Sequence, residues 1–172
     1  MKHPDIAVRT KATREIANFS RDDVDVAVRS GLGDWPGLEV HPLFPVDFTP
    51  MCSPKLIRRH GPINAPADLL RLLLIDPGDR WWGLWFEAMG VGGFQPGGHP
   101  DARMGDQHLE ARAAIGGYGV AILPPAFYRE EIAAGLLVQP FPAICEPGQF
   151  YFLAYPTTRR HVAKIRAFRD WF

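Results

Sequence analysis

One segment, residues 24–54, constrains the possible folds of this chain more than any other. Valine occupies every second position of residues 24–28, which is the period of a strand with one buried face. Turn-forming residues follow, and a second extended stretch at 43–52 contains two prolines. Ser53 is a residue type that caps helices, and Pro54 suits the first helical position. The segment therefore predicts a strand, a turn, an extended stretch and a helix start, in that order.

Periodicity and turn residues predict alternating strands and helices along the rest of the chain. The predicted strands lie near residues 5–10, 24–29, 46–52, 72–76, 101–104, 119–123, 136–138 and 150–155. The predicted helices lie near residues 54–60, 66–71, 81–89, 106–116, 125–134 and 158–171. Gly61, Gly90 and Gly135 stand where helices would end in a left-handed residue. This alternation is typical of a layered α/β fold.

Two groups of large side chains are predicted to supply core. Trp81, Trp82 and Trp85 form an aromatic group at a helix start, and we interpret them as core, with a pocket edge as the alternative. The last predicted helix places apolar residues at helical spacing, namely Val162, Ile165, Phe168 and either Trp171 or Phe172. Its basic residues are Arg159, Arg160, Lys164, Arg166 and Arg169. We interpret this basic face as solvated, and a nucleic-acid surface is the alternative.

Composition excludes several classes of protein. The 172 residues are 47% hydrophobic, which is enough for a core, and 19 basic residues balance 19 acidic ones. A neutral chain has no overall field to attract a polyanion, so a free-standing nucleic-acid binder is disfavoured. No apolar run approaches the ~20 residues of a spanning helix, and no signal peptide is apparent. We therefore expect a cytoplasmic protein without a membrane partner.

Metal, cofactor and catalytic signals are weak. Cys52 and Cys145 lack CxxC spacing and are expected to be reduced thiols. The histidines, His3, His41, His60, His99, His108 and His161, show no paired ligand spacing. The sequence contains no GxSxG elbow and no phosphate loop, and the adjacent Glu130 and Glu131 would not share a helix face. We expect no metal, no cofactor and no enzymatic activity.

Three places carry residues suited to binding a small molecule. The helix start at Asp106, Gln107 and His108 would present unpaired amides to an anion, although Asp106 is also a plain helix cap. Arg29, followed by Ser30, could clamp a carboxylate, or could equally lie on the surface. The glycine turn at 116–119 runs from helix into strand, the reverse of a dinucleotide loop, and is interpreted as a tight turn.

Five segments in one order resemble the effector-binding domain of LysR-type transcriptional regulators, particularly the branch of glycine-cleavage activators. They lie at residues 3–6, 22–29, 113–124 (AAIGGYGVAILP), 134–138 and 151–172. The segment at 24–54 shows the same likeness. Each motif alone is weak, but their shared order makes the resemblance fairly specific.

The resemblance implies a two-lobe α/β fold of the type 2 periplasmic-binding-protein-like class, truncated at its amino terminus. One effector-binding domain would cover 1–172, with lobe I at about 1–45 plus 125–172 and lobe II at about 46–124. An intact regulator would carry a winged helix-turn-helix, a linker helix and one further strand and helix before Lys2. Their absence would leave unpaired edges, so we expect self-association.

The resemblance also implies where a ligand would bind. The helix start would line the effector cleft through Gln107, and Tyr118 would face the same cleft. Thr10 and Thr13 match the part of the family pattern that faces it, although both suit an ordinary loop equally well. With Arg29 and Ser30, these residues would surround one small molecule.

The expected function is to sense a small metabolite, an amino acid or a carboxylate, between the two lobes and so to modulate transcription. The expected partners are this effector and further copies of the chain, with no direct DNA binding by the chain itself. A solute-binding protein of the same fold and, less favoured, a small α/β enzyme are the alternatives.

Overall fold

A computed structural model of the chain describes residues 6–11, 13, 17–96 and 103–171. The chain divides into two compact units, unit 1 (Met1–Val46 and Pro147–Phe172) and unit 2 (Asp47–Glu146). It passes from one unit to the other twice, at residues 46–47 and again at 146–147. We call these two places the crossings.

The strands and helices follow the predicted alternation. The strands are β1 (Ala27–Gly31), β2 (Leu38–Pro45), β3 (Thr49–Met51), β4 (Ala121–Leu123) and β5 (Phe150–Pro156). The α-helices are α1 (Pro54–His60), α2 (Arg80–Ala88), α3 (Gln107–Gly116), α4 (Arg129–Ala133) and α5 (Ala163–Trp171). Short 3₁₀ helices lie at Pro66–Arg71, Pro125–Phe127 and Thr157–Arg159.

The second crossing lies further along the chain than the expected boundary at residue 124. Residues 125–146 belong to unit 2 rather than to the first lobe. The reason is long-range pairing: Val138 pairs with Cys52, and Cys145 pairs with Phe48. The chain therefore returns along the first strand of unit 2 before it crosses.

Unit 1 is built on an antiparallel sheet in the order β1-β5-β2. The central strand β5 pairs with both neighbours, so that Leu153 lies opposite Val28 on one side and His41 on the other. Four successive residues of β5, from Phe152 to Tyr155, are buried. Since successive side chains of a strand point to opposite faces, both faces of β5 are covered.

The phase of β1 differs from the prediction. Val28, predicted on the buried face, is 47% exposed, whereas Ala27 and Arg29 on the opposite face are half-buried. The face of Arg29 is covered by Trp35, whose ring meets that of Phe152 edge-on at 5.6 Å. Alternation predicts the period of a strand. Which face is buried depends on the side chains that pack on it, here Trp35 from the loop after β1.

The predicted strand near residues 46–52 contains β3, but no strand was predicted at Leu38–Pro45, where β2 lies. β2 tolerates its prolines because it is an edge strand. Its register shifts between Pro42 and Phe44, which marks a bulge. Residues 6–10, predicted as a strand, lie outside any strand, because no neighbouring strand pairs with them. Residues 5, 101 and 102 lie outside the described residues, and 103–104 form no strand.

Unit 2 has its core around the pair β3–β4, which runs antiparallel with Pro50 opposite Ile122. All residues of both strands are buried. Leu74 adds a parallel bridge to Val120. Ala111 and Ala114 of α3 pack into the same buried cluster, so the core positions this helix.

The predicted helix boundaries agree with the structure where a capping residue, a proline or a glycine marks them in the sequence. The Ser53 hydroxyl accepts a hydrogen bond from the amide of Leu56 at 3.3 Å, and Pro54 opens α1, as predicted. Gly61, Gly90 and Gly135 all have a positive φ at or just after a helix end. Such signals depend on neighbours in sequence alone.

The tryptophan group is core, as predicted. Trp81, Trp82 and Trp85 are all buried. Trp81 stacks on Phe48 with the ring centroids 4.6 Å apart, and the indole N–H of Trp82 donates to the carbonyl of Ile75 at 3.1 Å. A buried indole needs such a partner, because an unpaired buried donor is costly.

α5 departs from its predicted apolar face. Ile165 is buried, but Val162 precedes the helix and is exposed, and Trp171 is 62% exposed. Phe172 lies outside the described residues. The predicted burial of Val162 is therefore wrong, because helical spacing extends the apolar stripe beyond the part that unit 1 covers. Of the two alternatives named for the last position, Trp171 is exposed.

The basic residues near α5 are largely engaged within unit 1. Lys164 pairs with Asp25 at 2.6 Å, and Arg160 lies 3.9 Å from Glu39. Arg159 donates to main-chain carbonyls of Phe19 and Val24. These contacts favour a structural role for the basic face over a phosphate-binding one.

Both cysteines are free thiols. Cys52 is buried, and this burial raises the pKa of its thiol to about 11. Burial likewise raises the pKa of Cys145, with a further contribution from Glu146. Thiols with raised pKa values hold little thiolate at neutral pH and are therefore unreactive.

We predict that Gly33→Ala destabilises the chain more than Gly37→Ala. Both glycines have a positive φ, which costs a side chain about 1–2 kcal/mol. A Cβ at Gly33 would lie 2.7 Å from Cζ of Phe152, whereas a Cβ at Gly37 meets nothing within 4 Å. Overpacking should cost Gly33→Ala roughly 1–3 kcal/mol more in the free energy of unfolding, measured by urea denaturation. Equal losses in the two variants would contradict this packing.

Candidate functional site

Arg29 is the most constrained of the predicted site residues in unit 1. Its guanidinium carbon lies 4.1 Å from the centroid of the Trp35 ring. Stacking of this kind holds the guanidinium plane while leaving its N–H edge available for hydrogen bonds. Within the part of the chain that the structure describes, no carboxylate pairs with Arg29. The side chain is thus oriented and has capacity to bind an anion.

Ser30 and the two threonines are placed differently. Ser30 follows Arg29 in β1, so its side chain points to the opposite face of the sheet, and it is exposed. Thr10 and Thr13 are exposed residues outside helices and strands. Their placement matches the alternative interpretation, polar residues of a loop. Arg29 and Ser30 therefore point to opposite faces of β1.

In unit 2, the start of α3 is capped by Asp106. One oxygen of this carboxylate, Oδ1, accepts the amides of His108 at 2.8 Å and Leu109 at 3.2 Å. The amide of Glu110 donates to the main-chain carbonyl of Asp106 at 3.1 Å. Asp106 is therefore the plain helix cap that the sequence offered as one interpretation.

This cap changes the chemistry expected at the helix start. The amides of His108 and Leu109 would have been free to bind a ligand anion, but Asp106 already occupies them. The carboxylate also places a negative charge where the helix dipole would otherwise favour an external anion. Gln107, which is half-buried, and the exposed His108 keep their side chains for hydrogen bonding. The expected backbone anion site is thus filled by the chain itself.

Tyr118 lies at the other end of α3. It follows Gly117, the left-handed cap that ends the helix, and is 72% exposed. Gln107 is the first residue of α3 and Tyr118 follows its end, so about 15 Å along the helix axis separates them. The two residues therefore lie at opposite ends of α3.

The glycine turn itself is structural, as interpreted from the sequence. A Cβ at Gly119 would lie 2.5 Å from the main-chain oxygen of Leu73. The amide of Val120 donates to that same carbonyl at 2.9 Å. Close approach of two backbones, rather than ligand binding, therefore requires glycine at 119.

Two supporting residues were missed by the sequence reasoning. Trp35 orients Arg29, and the hydroxyl of the buried Tyr128 donates to the carbonyl of Gln107 at 3.2 Å. Neither contact joins residues at a recognisable spacing, because both depend on how loops fold back. The turn-forming residues around Trp35 were the only local signal for the first of them.

Unit 1 also has an open cavity of about 510 Å³ beside the β2 bulge. Leu43, Phe44 and Leu153 line it together with the ion pair Arg169–Asp170. His41, at its rim, lies 2.8 Å from the buried hydroxyl of Tyr155. None of the predicted site residues lines this cavity.

Other kinds of site lack support among the described residues. No group of three or more His, Cys, Asp or Glu side chains there could hold a metal ion. In the same residues, no helix combines the length and apolar character needed to cross a membrane.

The family comparison covers the whole chain. The family described as "LysR substrate binding domain" matches residues 1–172. The chain is 33% identical over 174 residues to the glycine cleavage system transcriptional activator of Escherichia coli K12, covering 98% of the chain and 55% of that protein. It is 32% identical over 171 residues to the transcriptional activator AmpR of Rhodobacter capsulatus, covering 98% and 56%. The chain thus spans about half the length of these relatives.

Solved structures show the same likeness. The effector domain of AmpR from Pseudomonas aeruginosa superposes with a TM-score of 0.80 at 28% identity, over 99% of this chain and 80% of that one. The AmpR effector-binding domain from Citrobacter freundii gives a TM-score of 0.82 at 24% identity, over 99% and 83%. These likenesses confirm the predicted fold class, the type 2 periplasmic-binding-protein-like fold.

We predict that Asp106→Ala lowers the free energy of unfolding by about 1 kcal/mol, because it leaves two helix amides without their acceptor. Asp106→Asn retains an accepting oxygen and should lose much less. Chemical denaturation followed by circular dichroism measures both changes. Equal losses in the two variants would show that the carboxylate does not act as a hydrogen-bonding cap.

Proposed function

Since the chain belongs to the LysR substrate-binding domain family, we propose that it is the effector-sensing part of a LysR-type transcriptional regulator. The observation that carries its binding role is Arg29, a half-buried cation oriented by Trp35 with no carboxylate partner among the described residues. An unpaired, oriented guanidinium suits a planar anion, which it can bind through two parallel hydrogen bonds. We infer that the effector carries a carboxylate.

Unit 2 offers a second group of polar side chains at the start of α3. Gln107 can donate and accept hydrogen bonds, and Tyr128 holds its main chain in place. Asp106 uses Oδ1 for both helix amides, so Oδ2 is the oxygen available to an ammonium group. Arg29 suits a carboxylate, and Oδ2 of Asp106 suits an ammonium group. Small amino acids carry both groups and are therefore the first ligands to test.

Thr10, Thr13 and His108 remain members of the proposed site, because each presents a polar side chain from an exposed or loop position. Ser30 and Tyr118 are given no part in it. Ser30 lies on the opposite face of β1 from Arg29, and Tyr118 lies at the far end of α3.

The mechanism would be binding rather than reaction. An effector that binds one conformation of the domain more tightly than another would favour that conformation, and its differential affinity would set the size of the shift. The relatives are transcriptional regulators, which supports this role over a solute-binding protein or an enzyme. DNA binding would belong to another part of the regulator, and assembly into an oligomer would transmit the signal. Such a sensor would act in the cytoplasm beside its DNA.

We predict that small amino acids or carboxylates raise the thermal stability of the chain, and that Arg29→Lys weakens this effect. A ligand at 100 times its dissociation constant contributes about 2.7 kcal/mol to stability. Lysine keeps the charge but loses the bidentate geometry, which should weaken binding about tenfold or more. Thermal-shift titration measures both effects.

Arg166→Lys is the matched control, because Arg166 is exposed on α5 and takes no part in the proposed site. It should leave the ligand titration unchanged. Equal weakening by the two substitutions would contradict the role of Arg29.

We also predict that this chain does not bind duplex DNA sequence-specifically. Its net charge is zero, and the cations near α5 are mostly engaged by carboxylates or carbonyls within unit 1. Fluorescence anisotropy at physiological salt with the regulator's own promoter and a scrambled duplex tests this. Tighter binding to the promoter would overturn the separation of sensing from DNA contact.

A further inference from the structure

Each of the two crossings carries a carboxylate on its unit 2 side. Asp47 is the first residue of unit 2 and Glu146 is its last. The neighbouring residues, Phe48 and Cys145, form an antiparallel pair. The amide of Phe48 donates to the carbonyl of Cys145 at 3.1 Å, and the amide of Cys145 donates to the carbonyl of Phe48 at 2.9 Å. Asp47 and Glu146 are the residues that follow this isolated pair on the outer side of the two segments, and Glu146 acts on Asp47 as a nearby negative charge. Like charges on neighbouring strand segments repel and destabilise their pairing.

The environment of Asp47 adds to this repulsion. Its Oδ1 atom is buried and has no hydrogen-bond partner. Burial raises the pKa of Asp47, and the nearby charge of Glu146 raises it further. The residue's own main-chain N–H and the Arg129 guanidinium act in the opposite direction. The raising effects dominate, so the folded chain holds a proton on this carboxyl more tightly than the unfolded chain does.

We propose that Asp47 and Glu146 form a proton-binding pair that makes the stability of the crossings depend on pH. Binding one proton from solvent removes a negative charge from the pair. It also turns Oδ1 or Oδ2 of Asp47 into a donor that can hydrogen-bond to the Glu146 carboxylate. The two segments that join the units are therefore more firmly paired when the proton is bound.

The pH range follows from the sign of the shift. A carboxyl whose pKa is raised in the folded state stabilises that state fully below its ordinary value of 3.8. The stabilisation is lost as the pH rises from there through the raised pKa, and above that range the loss is complete. The pair should therefore lower the stability at neutral pH relative to acid pH.

Arg129, the first residue of α4, is the cation that faces Asp47. Phe48 and Cys145, which pair beside it, carry no charge at neutral pH. Because the charge of Arg129 lowers the pKa of Asp47, Arg129→Met should raise that pKa further. The loss of stability with rising pH should then extend to higher pH. This expectation does not depend on any effector, so the proposal stands or fails separately from the sensing function.

The test is the melting temperature of the full chain at several values between about pH 4 and about pH 8, the range over which a shifted carboxyl acts. Asp47→Asn removes the titrating group and the repulsion, so its melting temperature should exceed that of the wild type at neutral pH. The difference should shrink towards acid pH. Asp34→Asn, which changes an exposed carboxylate in the β1–β2 loop, is the matched control and should show no such trend.

Glu146→Gln keeps the test decisive if Asp47→Asn folds poorly. It removes the repulsion but leaves Asp47 to titrate, so stability should rise at neutral pH and the remaining pH dependence should shift to lower pH. Carbon-detected NMR of the Asp47 carboxyl should show a midpoint above the ordinary Asp value in the wild type and a lower one in Glu146→Gln. Differences that stay constant with pH, or an Asp47 midpoint at or below the ordinary value, would overturn the proposal.

Discussion

The pairing of β5 with β1 and β2 is the interaction on which unit 1 depends. β5 lies in the centre of the sheet, but it comes from residues that follow the whole of unit 2. Unit 1 can therefore complete its core only after the chain has crossed and returned. The adjacent pairings, Val46 with Gln149 and Phe48 with Cys145, hold the outgoing and returning segments side by side.

The parts of the fold that depend on local signals were predictable from the sequence. Ser53-Pro54 predicted the start of α1, and Asp106 predicted that of α3. The features that depend on distant residues were not. β2 was not predicted because its prolines argue against a strand, and only its position at the edge of the sheet lets it contain them. The valines of β1 predicted its period but the wrong buried face, since Trp35 covers the face of Arg29. The end of the second lobe was missed because it depends on a pair between Cys145 and Phe48.

In the candidate site, too, the residue types could be named from the sequence, whereas most of their contacts could not. Residue types suited to an effector, such as Arg29 and Gln107, could be named from the sequence, and the family resemblance supplied their grouping. Their partners could not be named. Trp35 turns Arg29 into an oriented cation, and Asp106 fills the helix amides that an effector anion would otherwise use. The Trp35 contact could not be predicted from the sequence, because it depends on how the chain folds around Arg29, whereas the cap at Asp106 was one of the two interpretations of the helix start.

The proposed effector contacts are Arg29 in unit 1 and the first turn of α3 in unit 2. Hydrogen–deuterium exchange of the chain, with and without an amino acid that stabilises it, measures each of these contacts separately. We expect slower exchange around β1 and at the first turn of α3, with little change around Tyr118. Protection confined to one unit, or protection centred on the cavity beside the β2 bulge, would contradict the proposed contacts.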